Sequence, residues 1–173
     1  MAAKPRKTDP QIVLMPPQKM ATVLTKGDPN AVGETAMKAL YGSVFTLKFA
    51  RKKQDPAQDF KVGKLLARWP DAHVKPREEW TGIWALAIPD DVETLPQKEP
   101  DVEVKLETWE YGTVAQILHI GPYSEEGPTV QRLHEFIQDS GYEIAGLHEE
   151  EYLTTPKAKT VKTIIRYEVQ KPG

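Results

Sequence analysis

The segment 148–153 places a carboxylate and a phenol two residues apart on what its position and composition predict to be a β-strand. Side chains alternate between the two faces of a strand, so Glu150 and Tyr152 share one face while Glu149 and Glu151 share the other. A carboxylate on the interior face of a sheet costs free energy unless a bound or neighbouring group compensates it. The spacing therefore predicts a site that binds a cation or transfers a proton.

The same three glutamates also suit a solvated strand edge, and Tyr152 also suits an ordinary core position. We expect Glu150 to face the interior and Glu149 and Glu151 to face solvent. Arg166, which alternates with Lys162 on the last predicted strand, is then the natural surface partner of Glu149 or Glu151 across strands.

Composition limits the class of protein. The chain has 173 residues, of which 39% are hydrophobic and 28% are charged, and these values suit one globular domain. Its 23 basic and 25 acidic residues leave a formal net charge of -2, too little positive charge to favour direct binding of nucleic acid. Residues 1–10 form a short basic leader with no apolar segment behind it, and no later stretch suits a membrane span. We expect a cytoplasmic protein with no membrane partner.

Metal and thiol chemistry find little support in the residue types and their spacing. The chain has no cysteine, which excludes disulfides, thiolate nucleophiles and cysteine-based zinc sites. The four histidines, at positions 73, 119, 134 and 148, form none of the close pairs that are typical of zinc sites. We therefore expect neither a metal nor a cofactor.

The first half of the chain predicts a strand, a helix and two further strands. A short strand at 12–14 precedes the strand at 20–26, after which Asp28 is placed to cap a helix that begins at Pro29. Apolar residues recur at helical spacing as far as about residue 49. Strands are predicted at 60–69 and 80–88, and an acidic, proline-containing linker follows them.

The second half repeats this order. A strand at 102–106 is followed by one at 113–120, a helix at 124–140 that Gly141 ends, and strands at 144–155 and 161–169. Segment 20–27 can be laid on segment 114–121, because each ends a strand ahead of a helix. The chain thus predicts an internal duplication.

The predicted fold class is α+β. It consists of duplicated strand-helix-strand-strand units, related by a pseudo-twofold axis around a central ligand cleft. Within a single domain, 1–173, the first repeat spans about 12–89, the linker about 90–100 and the second repeat about 101–169.

Several short segments support a family assignment by their order and spacing. They are HIGPY at 119–123, GYEI at 141–144, EEYL at 150–153 and KTIIR at 162–166, with KGDPN at 26–30, ALY at 39–41 and DFKV at 59–62 in the first half. Together these segments resemble the GyrI-like small-molecule-binding family, which also supplies the effector-binding domains of multidrug-responsive transcription regulators. The resemblance extends over residues 13–169.

The resemblance implies a hydrophobic cleft with aromatic walls and a glutamate at its base. In the family's pattern that glutamate stands two residues before the tyrosine of a Glu-x-Tyr-Leu segment, which is Glu150 here. Relatives differ in activity, so membership implies the pocket more directly than the reaction. Some bind lipophilic cationic drugs, some restrain DNA gyrase, and some stand-alone members hydrolyse cyclopropane-bearing DNA alkylators.

Our first hypothesis is a stand-alone protein that binds planar, lipophilic, often cationic xenobiotics. Glu150 would neutralise the ligand's charge and indoles would stack on its rings; the expected ligand contacts are Glu150, Tyr152, Trp69, Trp84, Tyr41 and Tyr111. We expect no DNA-binding helix-turn-helix, because only a dozen or so residues precede the first strand.

Two alternatives remain open. In a cyclopropane hydrolase, Glu150 would activate water while Tyr152 polarises the acceptor oxygen of the substrate. However, Leu66 and Pro70 stand where stand-alone relatives carry a second acid and a second tryptophan, and this weakens the hydrolase hypothesis. The other alternative is an inhibitor that binds DNA gyrase.

Overall fold

The computed structural model of the chain describes residues 8–173, so most of the predicted leader lies outside the described residues. The class is α+β with a duplicated unit, as predicted. The described residues form two helices, α1 (Pro29–Gln54) and α2 (Glu126–Asp139), and nine strands: β1 (Gln11–Met15), β2 (Gln18–Lys26), β3 (Leu65–Arg68), β4 (Thr81–Ala87), β5 (Lys105–Trp109), β6 (Gly112–Ile120), β7 (Glu143–Ile144), β8 (Glu149–Tyr152) and β9 (Lys162–Gln170). Neither helix is both long and apolar enough to cross a membrane.

The chain divides into two compact units. The first unit is Pro17–Glu110, with antiparallel strands in the order β5-β2-β4-β3 and helix α1. The second unit is Tyr111–Gly173 together with the segment ending at Pro16, with antiparallel strands in the order β1-β6-β9-β8 and helix α2. The two orders are equivalent when β2 is matched to β6 and α1 to α2.

The first strand of each predicted repeat pairs with the second strand of the other repeat. β1 pairs with β6, with Gln11 opposite Gln116, and β5 pairs with β2, with Trp109 opposite Gln18. The first predicted strand, assigned by sequence to the first repeat, therefore completes the sheet of the second unit. Pro16 and Pro17 explain the break between β1 and β2, because proline cannot donate to a strand ladder.

Helix α1 begins as its sequence predicts. Asp28 is the N-cap and accepts a hydrogen bond of 2.9 Å from the backbone N–H of Asn30, and Pro29 is the first helical residue. The helix continues to Gln54, five residues beyond the predicted end. Basic side chains in its last turn, at positions 51–53, complement the partial negative charge of the helix C-terminus.

The core of the second unit lies between α2 and one face of its sheet. Leu133 and Ile137 of α2 pack on buried residues of β6 and β9, namely Ala115, Ile117, Ile165, Tyr167 and Val169. The odd-numbered residues of β9 therefore face the helix. Since Glu150 of β8 lies opposite Ile165, its side chain is on this helix-facing side of the sheet.

The predicted strand at 144–155 is interrupted in the structure. β7 and β8 both pair with β9, but residues 145–148 separate them where β9 has only residues 167 and 168 between the paired positions. This bulge bends the chain and re-aims its side chains. Likewise, the predicted strand at 60–69 shortens to Leu65–Arg68, because a 3-10 turn and an irregular stretch precede it.

Candidate functional site

Two carboxyl groups meet on the helix-facing side of the second unit. Glu150 comes from β8 and is 8% exposed, and Glu126 is the first residue of α2 and is 9% exposed. The pair forms because the strand alternation turns Glu150 towards the helix whose first turn carries Glu126. Burial, the charge of Glu150 and a hydrogen bond to it raise the pKa of Glu126 to about 9. Glu126 therefore holds a proton at neutral pH.

His148 connects Glu150 to a buried phenol. The Nε2 atom of His148 lies 2.7 Å from Oε2 of Glu150, and its Nδ1 atom lies 2.6 Å from the hydroxyl of Tyr167. Burial, followed by the charges of Glu150 and Glu126, raises the pKa of Tyr167, so the phenol stays protonated. The tautomer of the imidazole sets which of its nitrogens donates and which accepts in these two hydrogen bonds. Tyr167, His148 and Glu150 thus form a hydrogen-bonded chain.

His148 lies at the end of the bulge between β7 and β8. His148 is the last residue before β8, two residues before Glu150, so both side chains leave the backbone on the same side. Glu126, His148 and Glu150 each offer one ligand atom, and those atoms all lie within 4.8 Å of one another. One oxygen of Glu126, Oε1, is buried without a hydrogen-bond partner among residues 8–173.

Aromatic side chains border the carboxyl pair. Tyr152 meets Tyr123 edge to face, with ring centroids 5.7 Å apart. Tyr123 is 39% exposed, and burial together with the charges of Glu150 and Glu126 raises its pKa. The site therefore combines negative charge with phenol rings of which one remains open to solvent.

The other face of β8 is not solvated, so the expectation that Glu149 faces solvent is wrong. Glu149 is 2% exposed and accepts hydrogen bonds of 3.0 and 3.1 Å from the hydroxyl of Tyr111. Its Oε2 atom also lies 2.8 Å from Nη1 of Arg166, which is 5% exposed and also bonds half-buried Glu151 at 3.2 Å. Arg166 does pair with these carboxylates, as predicted, but in the interior.

The predicted ligand contacts thus fall in different surroundings. Glu150 and Tyr152 share the second unit's site, whereas Tyr111 is bonded to Glu149 on the opposite side of β8. Within the first unit, Trp69 and Trp84 are each less than a tenth exposed and meet edge to face at 5.3 Å. Their contact with a ligand stays a prediction.

Trp84 also donates a hydrogen bond of 2.9 Å from Nε1 to the hydroxyl of Thr25. Tyr41 lies on α1, where its ring stacks on Phe45 at 6.1 Å and burial raises its pKa. A role for Tyr41 in ligand contact likewise stays a prediction.

Sequence reasoning missed Glu126, His148, Tyr167 and Tyr123. The one local signal was the His-x-Glu spacing of 148 and 150, which places both side chains on one face of an extended segment. Glu126 and Tyr167 had no such signal, because folding brings them from other elements.

Known proteins share this architecture. The family model described as GyrI-like small molecule binding domain matches residues 8–171. No curated protein matches the chain significantly. An uncharacterised conserved protein from Listeria innocua is 29% identical, with 95% of this chain and 93% of that chain covered and a TM-score of 0.83.

A second solved structure, a hydrolase from Listeria innocua, is 30% identical over 95% of this chain and 93% of its own, with a TM-score of 0.81. The C-terminal domain of EcmrR is 15% identical, with 95% of this chain and 98% of that chain covered and a TM-score of 0.63, and it supports the fold alone.

Proposed function

The chain belongs to the GyrI-like small-molecule-binding family, and from that premise we propose that it binds planar, lipophilic organic cations at the carboxyl pair Glu126 and Glu150. The ligand's charge would lie against the two carboxyl groups. Its ring system would lie against the phenols of Tyr123 and Tyr152, since aromatic faces attract cations.

The observation that carries the proposal is the burial of this carboxyl pair without a lysine or arginine partner. Both side chains are less than a tenth exposed, yet no lysine or arginine of the described chain forms an ion pair with either. A buried carboxylate normally has such a partner, as Glu149 has in Arg166. An organic cation would supply it at the helix-facing side of β8.

The proposal is tested by two ligands of the same shape and different charge. N-methylacridinium is a planar cation, and acridine is its neutral counterpart at pH 8. We expect isothermal titration calorimetry to give at least about tenfold tighter binding of the cation, equivalent to about 1.4 kcal/mol. Equal affinities for the two ligands would contradict the proposal, because the carboxyl pair distinguishes them only by charge.

A second candidate function is hydrolysis, which the relatives from Listeria innocua favour because one of them is named a hydrolase at 30% identity. The reaction suited to this site is the opening of a cyclopropane conjugated to a dienone. Glu150 takes a proton from water as the water oxygen bonds to the cyclopropane methylene. The ring carbon–carbon bond breaks, and its electron pair moves to the dienone oxygen, which hydrogen-bonds to Tyr152 and takes up a proton to give a phenol.

Product analysis distinguishes hydrolysis from binding alone. For the hydrolase we expect mass spectrometry to detect the water adduct of a spirocyclopropyl cyclohexadienone at a rate at least about tenfold above buffer, and we expect Glu150→Gln to abolish the excess rate. A rate equal to that of buffer would remove the hydrolase and leave the binding proposal standing.

A further inference from the structure

We propose that Glu126, His148 and Glu150 form a binding site for a transition-metal dication, of which Zn²⁺ is the best match. This inference goes beyond small-molecule binding and does not depend on it. Spacing along the chain does not indicate a metal, because the histidines are far apart and the third ligand comes from a helix.

The three side chains converge from two directions. His148 and Glu150 lie on the same face of the extended segment formed by β8 and the residue before it. Glu126 lies in the first turn of α2. Their potential ligand atoms all lie within 4.8 Å of one another, and the closest pair, Nε2 of His148 and Oε2 of Glu150, is 2.7 Å apart. Ligands at about 2.0–2.1 Å from a tetrahedral zinc ion lie about 3.3–3.4 Å from each other. Small side-chain rotations that move the closest pair of atoms apart and bring the more distant atoms together reach that spacing.

A buried acceptor without a partner supports the site independently of this clustering. Oε1 of Glu126 is buried and has no hydrogen-bond partner among the described residues, while Glu126 as a whole is 9% exposed. Buried polar atoms are rarely left unsatisfied, because each one loses its hydrogen bonds to water, and a bound ion can restore that loss. A cation held by Glu126 and Glu150 would satisfy this oxygen and take the place of the proton that Glu126 holds.

Tyr167 supplies the outer contact that metal-bound histidines usually have. Its hydroxyl lies 2.6 Å from Nδ1 of His148, on the far side of the imidazole from Glu150. In the metal-bound form Nδ1 carries the proton and donates it to the Tyr167 oxygen, which frees the lone pair of Nε2 for the metal. Outer contacts of this kind fix the ring orientation and the tautomer.

The ligand types select the class of metal. An imidazole nitrogen with two carboxylates suits Zn²⁺ and Co²⁺, whereas Mg²⁺ and Ca²⁺ prefer oxygen ligands alone. Three protein ligands also leave at least one coordination position for water or another small ligand. A zinc ion and an organic cation would use the same carboxylates, so each is expected to weaken binding of the other.

The test is calorimetric titration of ZnCl2 into the chelator-treated full chain, in a buffer that does not bind metal. We expect one ion per chain with a micromolar or tighter Kd, and Co²⁺ in place of zinc is expected to show visible absorption bands of a protein-bound ion. His148→Ala and Glu126→Gln should each weaken zinc binding at least about tenfold. Tyr167→Phe should weaken it about 10- to 100-fold through the lost outer contact. His73→Ala, which removes an exposed histidine of the first unit, should leave binding unchanged.

The proposal is overturned if zinc does not bind at one ion per chain, if Mg²⁺ binds as tightly as zinc, or if His148→Ala and Glu126→Gln both bind zinc as the unaltered chain does. Circular dichroism of each variant establishes that it is folded before titration, and either of these two variants alone suffices if the other does not fold. N-methylacridinium is titrated separately without metal, so failure of metal binding and failure of cation binding are distinct results.

Discussion

Replacing Arg166 with methionine is expected to lower the free energy of unfolding by about 3 kcal/mol, a typical cost of removing one partner of a buried ion pair. Methionine retains much of the length and apolar surface of arginine, so the loss reports the guanidinium and not a large cavity. The guanidinium links three neighbouring strands of the second unit.

The link consists of side chains from the strands β9, β8 and β6. Nη1 of Arg166 in β9 contacts Glu149 of β8 at 2.8 Å, and Nε contacts the side-chain oxygen of Gln116 in β6 at 3.2 Å. Burial disfavours the charged form of Arg166, but the hydrogen bonds and charges of Glu149 and Glu151 outweigh it and raise the pKa of the guanidinium. Without it, the carboxylate of Glu149 remains buried beside the Tyr111 phenol and loses the cationic group that lies 2.8 Å from it.

The measurement is urea unfolding followed by circular dichroism, with the double variant Arg166→Met/Glu149→Gln as the matched control. Neutralising Glu149 is expected to recover at least half of the loss, because the penalty arises from the carboxylate and not from the methionine. A loss below about 1 kcal/mol, or a double variant less stable than the single one, would show that this network contributes little to stability.

Local rules predicted the elements of this fold well. Asp28 and Pro29 identify the start of α1, because an N-cap side chain and an N-terminal proline act within one helical turn. Gly141 identifies the end of α2, where it adopts a φ of 79°. The duplication was visible because both repeats retain a strand that is followed by a glycine and then by a helix.

Long-range pairing is what the sequence did not reveal. Nothing local indicates that β1 completes the sheet of the second repeat, because the pairing of an edge strand depends on the partner that the fold brings to it. The bulge between β7 and β8 was hidden for a similar reason. Residues 145–148 have no strong breaker except Gly146, and a Cβ on this glycine would lie 2.7–3.1 Å from atoms of Glu168.

Burial of the two faces of β8 was predicted only in part. Strand alternation correctly places Glu150 and Glu149 on opposite faces of β8. It does not indicate which face is buried, and in the structure both of these side chains are buried. Buried Glu149 is paired with the guanidinium of Arg166, and the pKa of Glu126 is raised first by burial and then by Glu150, which comes from another element. Such charge pairs are decided by tertiary packing and have no periodic signature.

Replacing Glu150 with glutamine is expected to lower affinity for N-methylacridinium about 10- to 100-fold while leaving affinity for acridine within about twofold. A unit charge about 4 Å from a carboxylate gains about 4 kcal/mol at an effective dielectric constant of 20, and the cost of removing the cation from water offsets part of this gain. Glutamine keeps the shape of glutamate and an oxygen that can accept from His148, so the packing of the site changes little.

Glu151→Gln is the matched control, since it removes the same charge one residue along the same strand but on the opposite face. It is expected to leave the affinity for both ligands within about twofold, because Glu151 is paired with Arg166. Calorimetry of the three proteins with both ligands separates the causes. If both variants lose affinity equally, net charge attracts the cation. If neither loses affinity, the ligand binds away from β8. Only a loss confined to Glu150→Gln and to the charged ligand assigns the cation to the buried carboxyl pair.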